Sequence, residues 1–368
     1  MYESSKIQFE YANQFITDNY INIFIKIIQR TEGEIASLGY ILIGNLCVSS
    51  KELIKRIYES DILKASFNKF KSGTANYAEL RESIRFFALL CKEKNTFALE
   101  HVLTFFRLFD SVIRQGEDPE ILFYALGGIH LFITNDIEHH NELISLLLQL
   151  NTIEKVFQIE DEKMQSRGLA FSFYATDLVE IIIDVNYSNV DALYQITLRN
   201  NLPNVFNGYL LRYKSNKIRI QILEVINKLV LTRDIRIILL FVAHPIIDIF
   251  AEFIKLNEYT SSNLICKLFN VFYSLNDCDV NTILYQKKII DQLIDKLQSE
   301  KISENITYLL ECVCYFIQSE DNTKGSSPFV VYCQNIGIED VLNKQTSFNE
   351  SHFGLIDKIR TFIANAGK

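Results

Sequence analysis

The side chains that could carry chemistry are few and scattered. The six histidines are His101, His130, His139, His140, His244 and His352. His139 and His140 follow Glu138, but adjacent residues do not share a helix face, so they read as a solvated pair rather than joint metal ligands. His130 sits beside apolar positions of a helical pattern and reads as packed or groove-lining. His244-Pro245 reads as a turn at which the proline starts the next helix. The seven cysteines fall mostly in apolar helical patterns (Cys47, Cys91, Cys266, Cys312). That usage suits reduced, buried thiols in a cytosolic or nuclear protein. Cys312 and Cys314 have no second pair or histidine at zinc-ligand spacing, so neither a metal site nor a cofactor is expected. GxSxG, GxxxxGK[ST], HExxH and GxGxxG are absent, and the chain is not expected to be an enzyme. Gly127-Gly128 inside a helix costs ~1 kcal/mol per glycine relative to alanine. Close helix packing is the first reading of that pair, and a bare patch on a binding wall is the second. Glu117-Asp118 and Glu160-Asp161-Glu162 read as solvated turns that could also steer a basic partner.

The elements that must position these residues are helices. The chain has 368 residues, 48% hydrophobic and 22% charged, with four Pro, 13 Gly and no Trp. So few breakers imply long helices, and clean strand alternation is absent. The net charge of -8 argues against nucleic-acid binding, which needs surplus Lys and Arg. No basic start followed by an apolar run marks a signal peptide, and the apolar run 237–243 is far below the ~20 residues of a membrane helix. Apolar helical patterns recur at 35–47, 79–92, 119–133, 166–185, 217–230, 261–275, 304–317 and 352–364. Their centres mostly lie about 42–45 residues apart, with a larger gap across 133–185. Shorter helices are expected at 204–211, 246–254 and 289–297. The expectation is an all-α, armadillo-type helical repeat superhelix (an α-solenoid) of about eight or nine units, forming one array over 1–368. The polar stretch at 319–328 reads as a flexible loop.

Several stretches then resemble the importin alpha (karyopherin alpha) family of armadillo adaptors. Ile7-Gln8-Phe9-Glu10 looks like that family's LQFEA, and Ile21 to Lys26 like its IPIFIKLL. Leu42-Ile43-Gly44-Asn45-Leu46 looks like ALGNI, and Asp118-Pro119-Glu120-Ile121-Leu122 like DPEVL. Lys217-Ile218-Arg219 opens a helix as IKKEA does. VYCQNIGIEDVL (331–342) and a final amphipathic helix are similar to the closing repeat. The likeness runs from residue 5 to residue 365. It implies a concave groove that binds protein cargo for nuclear import, with nuclear transport receptors as partners and residence in cytoplasm and nucleus.

The family's groove chemistry is largely replaced. Its inner helices carry a Trp and, one turn on, an Asn; the rings sandwich cargo lysines and the amides pin the bound backbone. The matching pairs here are Asn13/Thr17, Ile41/Asn45, Arg85/Leu89, Gly127/Leu131 and Glu224/Lys228, and only Asn45 is retained. Arg85 places a cation where the family binds one. A desolvated cation–π contact is worth ~1–2 kcal/mol. Losing three or four would weaken a basic peptide by ~3–6 kcal/mol, to millimolar affinity or worse. Residues 1–20 hold one Lys and no Arg, whereas the family opens with a basic segment that binds importin beta. The Thr17 and Asn45 positions lie about 28 apart against a repeat of ~42, so the first repeat is degenerate or a cap. Two functions follow: a divergent adaptor binding protein cargo in the groove, or an armadillo scaffold that holds an assembly and has no transport role.

Overall fold

A computed structural model describes residues 18–47, 51–58, 60–71, 76–91, 99–116, 118–135, 139–159, 167–255, 258–318 and 328–366. Those residues are helices and short turns, with no strand among them. The chain divides into two compact units, Met1–Leu178 and Val179–Lys368. The stretch 319–327 of the expected loop, and the Asn13/Thr17 pair, lie outside the described residues. Pro328 opens a helix, as a residue without an N–H can.

In the first unit, α1 (Asp18–Arg30) and α2 (Glu34–Cys47) form a hairpin. They are followed by α3 (Lys51–Tyr58), α4 (Ile62–Lys71) and α5 (Tyr77–Leu90). Next come α6 (Leu99–Gln115) and α7 (Pro119–Asn135), then α8 (His140–Gln149), α9 (Thr152–Gln158) and α10 (Gly168–Val185), whose last turns belong to the second unit. The last helix of each group, equivalent to the third helices of the second unit, stacks on the next such helix, α2 on α5 and α5 on α7. The core of this unit is rich in phenylalanine. Phe87, Phe105, Phe109 and Phe132 are fully buried, with Phe87 and Phe105 ring centres 5.2 Å apart and Phe105 and Phe132 5.8 Å apart.

The second unit repeats one pattern four times. The groups are α11 (Val190–Arg199), α12 (Leu202–Arg212) and α13 (Asn216–Val230); α14 (Ile235–Val242), α15 (Ile246–Phe253) and α16 (Tyr259–Ser274). They continue as α17 (Cys278–Gln286), α18 (Ile289–Ser299) and α19 (Ser303–Gln318), then α20 (Pro328–Asn335), α21 (Ile338–Lys344) and α22 (Glu350–Ala366). Third helices stack in order, α13 on α16, α16 on α19 and α19 on α22, while first helices stack as α11 on α14 and α14 on α17.

The turns repeat as well. Asn201, Lys288 and Gly337 hold positive φ at the junction of first and second helices, as Asn151 does in the first unit. The left-handed conformation satisfies the end of one helix and redirects the chain into the next. At the equivalent junction between α14 and α15 the chain uses His244-Pro245 instead, as the sequence predicts. Arg233 and Asn276, also at positive φ, leave the third helices, and Asp234 and Asp277 then cap α14 and α17 through their side chains. Each such cap satisfies amide donors that have no partner within the helix.

The two adjacent glycines of α7 do different things. A Cβ at Gly128 would lie 2.5 Å from the ring of Phe109, so only glycine lets α6 approach so closely. A Cβ at Gly127 would rest at an ordinary 3.5 Å from Tyr174. Gly128→Ala should therefore destabilise by about 1–3 kcal/mol, the usual cost of overpacking. Gly127→Ala should be neutral or stabilising by up to about 1 kcal/mol through helix propensity. Urea unfolding of the two variants checks this, and equal losses would contradict the geometry.

Candidate functional site

The stacking of third helices decides which side chains remain accessible. A helix packed on its own repeat and on third helices to either side keeps a single strip open. In the first unit that strip holds Ile41 and Asn45 on α2 and Arg85 and Leu89 on α5. These four line one shallow slot together with Tyr40, Gly44, Glu82 and Phe86. Asn45 is exposed and the other three predicted residues are half-buried.

On α7 and α10 the strip is filled from within. Gly127 is buried, and the ring of Tyr174 lies over it. It is not the bare patch that was one reading of the glycine pair, because a neighbouring helix supplies the ring that covers it. Tyr174 also stacks on Phe123, with centres 5.6 Å apart, and lies tilted against His130 at 4.8 Å. His130 Nε2 hydrogen-bonds Asp177, 47 residues further on. Arg167 lies 5.1 Å from the centre of the Phe123 ring and 3.4 Å from Glu120. Leu131 is half-buried beside this cluster.

In the second unit the strip is polar and knitted across repeats. Lys228 on α13 reaches Asp184 and Glu180, each at 2.8 Å. Burial lowers the Lys228 ammonium pKa, but hydrogen bonds to Asp184 and Glu180 more than reverse this, so it stands above the ordinary lysine range. Asn263 donates at 3.0 Å to Asn305, which is itself buried, across 42 residues, and Asn270 donates to Glu311 at 2.7 Å across 41. Tyr308 and Tyr315, both half-buried, flank Glu311 on α19. Burial raises both phenols, helped by Glu304 for Tyr308 and by Glu311 for Tyr315. Glu224 itself is exposed.

Of the predicted residues, the structure brings Ile41, Asn45, Arg85 and Leu89 together. Glu224 and Lys228 stand on the second unit's strip, and Gly127 is covered. Sequence reasoning missed Asn263, Asn270, Tyr308, Glu311 and Tyr315. Carrying the register of Glu224 forward by one repeat period at a time leads to Lys267 and Glu311, and so to this row. His140, expected to be solvated, is half-buried and donates from Nδ1 to the Ile133 carbonyl at 2.8 Å, which closes the end of α7. Cys312 and Cys314 are buried free thiols, with Cys314 pushed up by burial to about 11. Among the described residues, no group of three or more His, Cys, Asp or Glu could hold a metal ion, and no helix is long and apolar enough to cross a membrane.

No protein-family model and no curated protein sequence matches the chain. Its fold is similar to the crystal structure of an engineered protein, with a TM-score of 0.52 and 11% identity over 95% of this chain and 89% of that one. That likeness shows the fold alone: all-α, of the helical-repeat solenoid class.

The Glu224 carboxyl gives a test of this electrostatic layout. Partial desolvation by its neighbours and the nearby Glu180 carboxylate raise its pKa, against the pull of Lys228. A carboxyl raised on folding contributes most below its unfolded pKa and loses that contribution as pH rises through its folded value. Glu224→Gln should thus raise Tm at neutral pH and give no gain at acid pH where Glu224 is protonated in both states. The side chain is exposed and screened, so the gain should be small, about 1 °C. Thermal melts across pH check the sign, and a gain that grows toward acid would refute it.

Proposed function

We propose that the protein is a non-enzymatic adaptor that holds an extended segment of another protein on its third-helix face. The observation that carries this is the half-buried row of Asn263, Asn270, Tyr308, Glu311 and Tyr315 on consecutive third helices, with Asn270 tied to Glu311 across 41 residues. A regularly spaced polar row with interleaved rings suits the regular backbone and alternating side chains of an extended polypeptide. The likeness of sequence stretches to importin alpha supports nuclear protein import as the setting, with nuclear transport receptors as partners and residence in cytoplasm and nucleus.

Lys228 favours a second reading. Where the family would offer an asparagine beside acidic residues, this chain puts its own ammonium between Glu180 and Asp184. An acidic slot already occupied by the chain's own ammonium offers less to a cargo lysine. A scaffold that holds one assembly, with no transport role, has no need of lysine selection.

A lysine-rich nuclear-signal peptide, followed by fluorescence anisotropy at low salt, separates the two. Wild type should bind it weakly, and Lys228→Ala should tighten binding about tenfold by vacating the slot, a change of ~1.4 kcal/mol. Sub-micromolar binding by wild type that Lys228→Ala leaves unchanged would establish basic cargo through another set of contacts. If neither protein binds the peptide or a transport receptor, the scaffold reading stands. Loss of every polypeptide partner from Asn270→Ala with Tyr315→Ala would tie binding to this face, and full retention would remove the face from the account.

A further inference from the structure

One strip of the first unit is apolar rather than polar. Ile35, Leu38 and Leu42 on α2 are 58%, 55% and 51% exposed. A rotation of about 100° per residue brings these three and Asn45 into one arc, with Ile41 at the edge facing α5. No Asp, Glu, Lys or Arg occurs from residue 35 to residue 46. Three large aliphatic side chains in a row, uncovered and uncharged, form the kind of patch that marks an interaction surface.

The charge beside that strip is positive. Arg81 and Arg85 share the carboxylate of Glu82, at 3.0 and 3.4 Å. Glu82 is 7% exposed, whereas the two guanidinium side chains are 38% and 37% exposed. Arg81 also faces Glu120 at 3.9 Å, but Glu120 lies closer to Arg167, at 3.4 Å. Among the described residues, two half-exposed guanidiniums thus face the one buried carboxylate of Glu82, and Arg85 lies in the slot shared with Ile41 and Asn45.

We propose that the α2–α5 face binds an extended segment of a partner protein in which large apolar side chains are followed by an acidic one. The apolar groups cover Leu38 and Leu42, and the carboxylate meets Arg85. The proposal rests on the reading of the third-helix faces as binding faces. A basic segment would be repelled by Arg81 and Arg85, and a wholly apolar one would bury guanidiniums that have only a shared carboxylate. A second copy placed on the same patch by a two-fold axis would set the two arginine clusters against each other.

The test uses the full chain and two labelled peptides, one of alternating leucine and aspartate, the other of alternating leucine and lysine. Anisotropy should show the leucine–aspartate peptide binding more tightly to wild type. Arg85→Glu should weaken it about tenfold or more and reverse the preference between the two peptides. Leu42→Ser, at an exposed position that leaves the fold intact by circular dichroism, should weaken both. A wild-type preference for the leucine–lysine peptide, or affinities that ignore Arg85→Glu, would overturn the proposal. So would self-association in sedimentation that Leu42→Ser abolishes, since a second copy would then cover the strip. Lys228→Ala, in the other unit, should leave these affinities unchanged. A protein partner lost from Asn270→Ala with Tyr315→Ala, while both peptides ignore α2, would spare the broader function and remove this inference.

Discussion

The stacking of each third helix against the next governs everything else in this molecule. A third helix such as α16 has fully buried Ile265, Leu268, Phe269 and Phe272, far more apolar surface than its own repeat can cover. The neighbouring third helices, α13 and α19, complete the cover. What remains open is a strip about one residue wide per turn, and its composition is free of packing constraints. Burial fixes the helices, and the strip is where sequences of this architecture can differ in what they bind. The close approach at Gly128 and the positive-φ residues between first and second helices serve the same end, because each sets how one helix lies on the next.

The charges on the open strips are satisfied largely by the chain's own groups. Lys228 lies between Glu180 and Asp184, Asn270 donates to Glu311, and His130 bonds Asp177. Such half-exposed pairs contribute little stability, ~0–1 kcal/mol each, because water competes for both partners. Their larger effect is on recognition. A ligand must either match the pattern with better geometry or displace a bond whose partners are already near-optimal. This separates the present strips from a groove that keeps rings and carboxylates open for cargo lysines. In the first unit Tyr174 covers Gly127 and stacks on Phe123, so a ring is present but engaged within the protein.

Helical periodicity made the architecture legible. The patterns expected at 35–47, 217–230 and 304–317 are realised as Glu34–Cys47, Asn216–Val230 and Ser303–Gln318. Long amphipathic helices with buried faces leave a strong imprint because every third or fourth residue must be apolar. Ile41, Asn45, Arg85 and Leu89, singled out by the resemblance to the importin alpha family, line one slot. The α7–α10 cluster was not legible. His130 and Asp177 are 47 residues apart, longer than the period of ~42, so the register slips where α8, α9 and α10 intervene. Nor could spacing show that Lys228 bonds Glu180 and Asp184, because side-chain partnership across helices depends on rotamers as well as register.

The two strips differ in a way that bears on selection. That of α2 is aliphatic, with a guanidinium at its edge, and it gains free energy mainly by removing apolar area from water, at roughly 25 cal/mol per Å². That of α13, α16 and α19 is polar and gains mainly by matching hydrogen bonds, which net ~0.5–1.5 kcal/mol each. Apolar burial supplies affinity with little discrimination, whereas polar matching penalises a wrong partner by leaving donors and acceptors unpaired. Under the proposed reading, the half-exposed guanidinium of Arg85 adds discrimination where the aliphatic strip alone has little, because it repels a basic segment that would otherwise bury the same area. A surface of this kind selects by sign of charge beside shape, and Arg85 is the residue on which that selection turns.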